Sequence, residues 1–156
     1  VAQARRDSVR TQEGAFTMAD CIFCKMVAGG IPCVKVFEDG HCLAFLDIGP
    51  LAPGHVLLIP KVHAETLDQM SAETAAAVLR HLPALVRAVR EATGCEGVNI
   101  LQNNGRVAHQ AVPHVHVHII PRKTGDAWQF NWPAGRYCPG EMEALAGRIR
   151  ARLPAG

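Results

Sequence analysis

Residues 113–122 read PHVHVHIIPR, which sets His114, His116 and His118 at every second position, with Val115, Val117 and Ile119 between and after them. In an extended strand alternate side chains share a face, so three imidazoles would stand in a row roughly 7 Å apart. The branched residues would then turn the other way, into the core. Three uses suit such a row. It could be a polar strand face of hydrogen-bonded histidines. It could be a metal site, since His-x-His on one strand supplies two ligands. Or it could do nucleophilic chemistry on phosphorus. A neutral imidazole attacks through one nitrogen while a hydrogen bond at the other fixes the tautomer. Neighbouring histidines then hold anionic oxygens and the leaving group. The polar, glycine-containing loop LQNNGRVAHQ (101–110) lies just upstream and could present backbone N–H groups to phosphate. An ordinary connection would use the same residue types.

Cys21 and Cys24 make half of a zinc site by their spacing. The same spacing serves redox motifs, but those follow a strand and open a helix, and no strand is evident before Cys21. Two free thiols are the plain alternative. His63 and His114 are the candidates for two further metal ligands. Cys33, Cys42, Cys95 and Cys138 have no such spacing and read as buried small apolar residues, with His41 and His81 as surface residues. Without an evident secretory leader, free thiols in a reducing cytoplasm are expected.

These groups need a scaffold, and 156 residues with 49% apolar and 19% charged side chains suffice for one domain with a core. The formal net charge of +2 gives no electrostatic case for a dedicated nucleic-acid partner. No apolar run approaches the ~20 residues of a membrane span. Residues 1–17 are polar and lack a periodic apolar face, so they read as a tail preceding a single domain over 18–156. VKVFE (34–38) and CLAFLD (42–47) read as a hairpin turned at Asp39-Gly40, followed by a third strand, HVLLIPK (55–61). From Ser71 to Thr93 the apolar residues fall at helical spacing, with Ser71 and Gly94 as caps and a kink expected at Pro83. GVNILQ (97–102) and AVPHVHVHII (111–120) read as strands four and five, and EMEALAGRIRARL as a short amphipathic helix. Strands joined by short links, with little β-α alternation, argue for α+β around an antiparallel sheet.

The run His114-Val115-His116-Val117-His118-Ile119-Ile120 resembles the histidine triad (HIT) signature of three histidines alternating with apolar residues. CIFCKMVAGGIP, VFEDGHCLAFLDIGPLAPGHVLLIPKVH and QNNG are similar to the bacterial nucleotide-hydrolase side of that superfamily, so the resemblance runs through most of Asp20 to Arg122. The presence of His118, where the transferase branch carries glutamine, points away from that branch. The resemblance implies a HIT-like fold, an antiparallel half-barrel sheet of about five strands with one long helix, usually paired into a homodimer. It implies hydrolysis of purine nucleoside 5′-phosphoramidates or dinucleoside polyphosphates through a covalent nucleotidyl-histidine, with no organic cofactor. It makes His116 the nucleophile, His118 a contact to phosphate oxygens and the leaving group, and His55 the additional histidine near the phosphate. Asn103 matches a polar position near ribose and phosphate, and Gln110 the polar residue of the loop leading into the triad. Ile22, Phe23, Met26, Phe45 and Ile48 match the purine-contacting positions, and Asp47 the acid that takes the ribose hydroxyls. Some relatives with the paired cysteines look like Cys-Cys-His-His zinc sites. That would give Cys21, Cys24, His63 and His114 a structural zinc, and His114 the task of fixing the strand that bears His116. One departure stands out. Relatives commonly show glycine at His109 and Ser or Thr at Ala111, so no hydroxyl is available at 111 for the leaving group. Two other readings compete: a hydrolase in which the three strand histidines bind a catalytic metal, and a non-catalytic nucleotide-binding regulatory module.

Overall fold

Residues 42–46 and 56–60 are apolar at successive positions, and the fold covers both of their faces. The computed structural model describes residues 20–129, 131 and 133–154, so the expected tail, 1–17, lies outside the described residues. Five strands form one antiparallel sheet: β1 (Lys35–Glu38), β2 (Cys42–Leu46), β3 (Val56–Pro60), β4 (Gly97–Gln102) and β5 (Val117–Arg122), in the order β1-β2-β3-β5-β4. This is the expected α+β arrangement around an antiparallel sheet.

Cys42, Ala44, Val56, Leu58, Val117 and Ile119 face one way. There they pack on Val78 of α2 (Ala72–Leu79) and on Leu85 and Val89 of α3 (Leu82–Thr93). Leu43, Phe45, Leu57 and Ile59 face the other way, against Cys21 and Phe23 at the start of α1 (Ile22–Val27). Leu57 pairs across the sheet with His118 and with Phe45, so these share that second face. The imidazole face is therefore not reserved for histidines. It carries an apolar cluster of its own, closed by a helix that hydrophobic periodicity did not indicate because it is only 6 residues long.

The expected single kinked helix over 71–93 is two helices. Ser71 caps α2, its hydroxyl accepting the Thr74 N–H at 3.1 Å, and Gly94 ends α3 at φ 60°. The break falls at Arg80 and His81, and Pro83 sits in the first turn of α3, where its missing N–H costs nothing. Inside a continuous helix its ring would have clashed with the carbonyl of Leu79.

Gly54 in the turn before β3 has φ +90°, and a Cβ there would lie 2.4 Å from Thr93 Cγ2. Only glycine lets this turn close on α3 and deliver His55 to the start of β3. The described chain divides into two compact units, one ending at Asp126 and one beginning at Ala127. The second contains α4 (Glu141–Arg150), with Glu141 and Glu143 in its first turn and Arg148 and Arg150 in its last, the order the helix dipole favours. Among the described residues no helix is long and apolar enough to cross a membrane.

Candidate functional site

Strand β5 begins at Val117, not at Ala111, so only His118 stands in the ladder. Pro113 has no N–H to offer a neighbour, and the lead-in finds partners elsewhere. His114 N–H donates to Val112 O at 2.8 Å, and Val115 N–H donates to Ala64 O at 2.7 Å, just beyond β3. The histidines nevertheless stay together. The His116 and His118 rings are 4.9 Å apart centre to centre, and Phe23 meets His114 and His116 edge-on at 5.8 and 5.3 Å.

Each ring has a tautomer dictated by the backbone, because a carbonyl only accepts and an amide N–H only donates. His116 Nδ1 lies 2.6 Å from His114 O, so it carries the proton and Nε2 keeps a lone pair. Leu51 N–H donates to His55 Nδ1 at 3.2 Å, which puts the His55 proton on Nε2. That nitrogen is 2.9 Å from His118 Nδ1, which must then accept, leaving the His118 proton on Nε2. His55 and His116 are buried, and His118 is half-buried. Burial holds all three below the ordinary histidine range, with His118 down to about 4 through burial and the neighbouring His116 and His55. The nearby carboxylate of Asp47 opposes this only in part. A cluster of neutral imidazoles, each with a set lone pair and a set N–H, is suited to nucleophilic attack and hydrogen-bond donation at neutral pH.

Asp47 follows β2, and its N–H donates to His55 O at 2.9 Å, closing the 47–55 loop at its base. One Asp47 oxygen accepts the Gly49 N–H at 2.8 Å, and the other lies 3.7 Å from His55 Nδ1. Phe23 and Phe45 are buried in edge contact at 5.7 Å, and Met26 packs beside them. Ile22 is 41% exposed and Ile48 fully exposed, so neither is core. Asn103 is half-buried, with its amide 3.4 Å from His109 O. Gln110 is buried with its amide already engaged: Oε1 accepts from Gly105 N–H at 2.6 Å, and Nε2 donates to Glu65 O at 2.5 Å. It staples the 103–110 loop to the segment after β3. His109 has φ 65°, the left-handed region where glycine is at ease, and Ala111 is exposed.

Cys21 caps α1, its sulfur accepting the Cys24 N–H at 3.4 Å. Cys21, Cys24, His63 and His114 form a group whose ligand atoms all lie within 4.8 Å of one another and could hold a metal ion. His114 Nε2 donates to Pro60 O at 3.0 Å, so its Nδ1 turns a lone pair toward the group. From that Nδ1 the distances are 3.4 Å to Cys21 Sγ, 3.6 Å to Cys24 Sγ and 3.3 Å to His63 Nδ1, and Cys24 Sγ to His63 Nδ1 is 3.3 Å. Tetrahedral zinc with ordinary bond lengths has S···N edges of about 3.5 Å and N···N edges of about 3.3 Å. The donor set thus fits zinc in type and in spacing.

Of the other cysteines, Cys42 and Cys95 are buried as expected, but Cys33 is half-buried and Cys138 is exposed. His41 is exposed. His81 is half-buried instead, 2.9 Å from Asp39 and with its ring 4.7 Å from that of Phe37 at a tilt of 43°, because the helix break turns it toward the β1–β2 hairpin. Sequence reasoning missed three backbone groups of this centre, Leu51 N–H, Pro60 O and His114 O. No residue type signals a backbone contact.

A model of the HIT domain family matches residues 28–125. The adenosine 5′-monophosphoramidase hnt1 of Schizosaccharomyces pombe is 47% identical over 134 residues, which is 85% of this chain and 98% of that protein. Among solved structures, a HIT family member from Bacillus subtilis superposes with a TM-score of 0.83 at 41% identity, covering 88% of this chain and 99% of that one. A Zn-bound histidine triad family protein from Mycobacterium smegmatis gives 0.68 at 35% identity, covering 87% and 100%.

Proposed function

The chain belongs to the HIT domain family, and from that premise we propose that it hydrolyses purine nucleoside 5′-phosphoramidates, with dinucleoside polyphosphates as a second substrate class. The observation that carries the proposal is the 2.6 Å contact between His116 Nδ1 and His114 O, which leaves Nε2 as a free nucleophile. The yeast relative's name as an adenosine 5′-monophosphoramidase supports the substrate class.

His116 Nε2 attacks the α-phosphorus as the P–N bond breaks, giving a nucleotidyl-His116. His118 Nε2–H, whose tautomer His55 sets, donates a hydrogen bond to the departing amine, which takes its proton from solvent. Water then attacks the same phosphorus and releases the nucleoside monophosphate and the free imidazole. Asp47 accepts the ribose hydroxyls. Phe23, Phe45 and Met26 form the wall for the base, with Ile22 and Ile48 as flanking contacts at the exposed rim. Asn103 approaches the phosphate, and Gln110 acts by shaping the loop, since its amide is already occupied. Cys21, Cys24, His63 and His114 would hold a zinc ion, which supplies a structural cross-link and no step of the reaction. Strand β4 has a sheet partner on one side only among the described residues, an edge that suits a second copy in a homodimer.

A water activated by a metal on the three strand histidines is the rival reading, but among the described residues no group of possible ligands unites His114, His116 and His118; the ligand atoms that do lie within 4.8 Å of one another are those of Asp47, His55 and His118. The Leu51 N–H already occupies His55 Nδ1, which counts against a metal there. Quenching a reaction with α-phosphorus-labelled adenosine 5′-phosphoramidate in alkaline denaturant, which spares the acid-labile P–N bond of a nucleotidyl-histidine, separates the two. Label on the His116 peptide is expected. His116→Ala should bind nucleotide but neither label nor turn over, and near-wild-type turnover in that variant would sink the mechanism.

A further inference from the structure

Cys21-x-x-Cys24 does open a helix, with Cys21 as its cap and Cys24 in its first turn. We propose that this pair is an oxidative-modification site: peroxide closes a Cys21–Cys24 disulfide that removes both sulfurs from the four-donor cluster and so loosens the support of His116. The proposal rests on the zinc and hydrolase readings above.

The geometry provides three parts. Residues three apart in a first helical turn have Cα atoms about 5 Å apart, inside the range a disulfide spans. The two sulfurs already lie within 4.8 Å of each other. The two are also unequal in access. Cys21 is fully buried and Cys24 is partly exposed, so Cys24 is the sulfur that a small oxidant reaches and Cys21 the one that resolves.

The chemistry balances with hydrogen peroxide as oxidant. The Cys24 thiolate attacks one peroxide oxygen and the O–O bond breaks, giving a sulfenic acid and hydroxide. The Cys21 thiolate attacks the Cys24 sulfur, the S–S bond forms and a second hydroxide leaves. Two protons from solvent convert both hydroxides to water. Peroxide has taken two electrons from the two sulfurs. The metal, left with His63 and His114 alone, dissociates.

The effect reaches the active histidines through one residue. His114 Nδ1 faces Cys21 Sγ at 3.4 Å, and the carbonyl of the same residue receives the His116 Nδ1 proton at 2.6 Å. Freeing the His114 ring from the cluster leaves that ring its Pro60 bond and its edge contact with Phe23, beside the amide bonds of His114 and Val115, to hold the segment that presents this carbonyl. Outer partners that orient functional groups of this kind are worth about 10- to 100-fold in activity.

The test uses the full chain carrying Cys138→Ser, to remove the exposed thiol, after reconstitution with zinc. One equivalent of hydrogen peroxide should yield a Cys21–Cys24 disulfide by peptide mapping and a protein lighter by two hydrogens. It should release the zinc to a chromogenic chelator and lower turnover by about 10- to 100-fold. Dithiothreitol with added zinc should reverse all three. Cys24→His keeps four donors but cannot form the bridge, and it should hold its zinc through the same treatment. Oxidation elsewhere with Cys21 and Cys24 still reduced overturns the proposal, as does a disulfide that leaves zinc bound or turnover unchanged. A chain that takes up no zinc also overturns it. A chain that binds zinc but hydrolyses no nucleotide before treatment counts against the hydrolase reading, and mass and zinc release still decide the modification site.

Discussion

Replacing His55 by leucine tests the tautomer relay most directly. In the native arrangement Leu51 N–H fixes His55 as the Nε2–H tautomer, and that proton fixes His118 in the same form. Leucine fills the buried space at the start of β3 but offers no donor. His118 Nδ1 then loses its partner and is free to take the proton itself, which turns Nε2 from donor to acceptor. An unsatisfied buried polar atom costs about 1–3 kcal/mol. His118 retains some exposure, so about 2 kcal/mol is the fair value, equivalent to roughly a 30-fold fall in kcat. KM should move little, because His55 does not touch the base or ribose in the proposed complex. The assay is release of adenosine monophosphate from adenosine 5′-phosphoramidate, with urea unfolding in parallel to exclude a general loss of fold. His55→Gln supplies an amide donor to His118 and should recover a large part of the loss. The reasoning fails if His55→Leu stays within twofold of wild type. It fails equally if the glutamine variant is as slow as the leucine one, since the imidazole itself, and not its donated proton, would then be what matters.

Four further outcomes are expected. Burial depresses the His116 pKa, so the neutral nucleophile persists below the ordinary 6.5, and the acid limb of kcat/KM should lie under that value; a limb at or above 6.5 would refute it. For His118 the folded pKa is about 4 against 6.5 unfolded, so its contribution to stability is complete above pH 6.5 and is lost as pH falls from there toward 4; urea midpoints measured across that window check the sign. Purified chain should carry one zinc, measured by atomic emission, and stripping it should lower the melting temperature by about 10 °C, whereas no metal and no shift would remove the cluster from the account. His109→Gly should stabilise the chain by about 0.5–1 kcal/mol by relieving a left-handed histidine, and a loss of stability in urea would show that the histidine is held there by something else.

The amino-acid pattern by itself determined the strands, the helix caps at Ser71 and Gly94, the triad and the Cys21–Cys24 pair, whereas the meeting of that pair with His63 and His114, 39 and 90 positions from Cys24, was decided by the closed fold. Alternating and helical apolar spacings, cap residues and paired cysteines are local signals, and each is written within a few positions. It did not determine where β5 begins, since period-two alternation runs back through His114 whether or not a neighbour pairs with it. That depended on Pro113 and on Ala64 offering a partner outside the ladder. Nor did it determine the helix break before Pro83, where continuing and restarting satisfy the same apolar stripe. Above all, the tautomers of His55, His116 and His118 were decided by Leu51 N–H and His114 O. Main-chain groups are identical at every residue, so which of them meets an imidazole is settled only when the loops have closed.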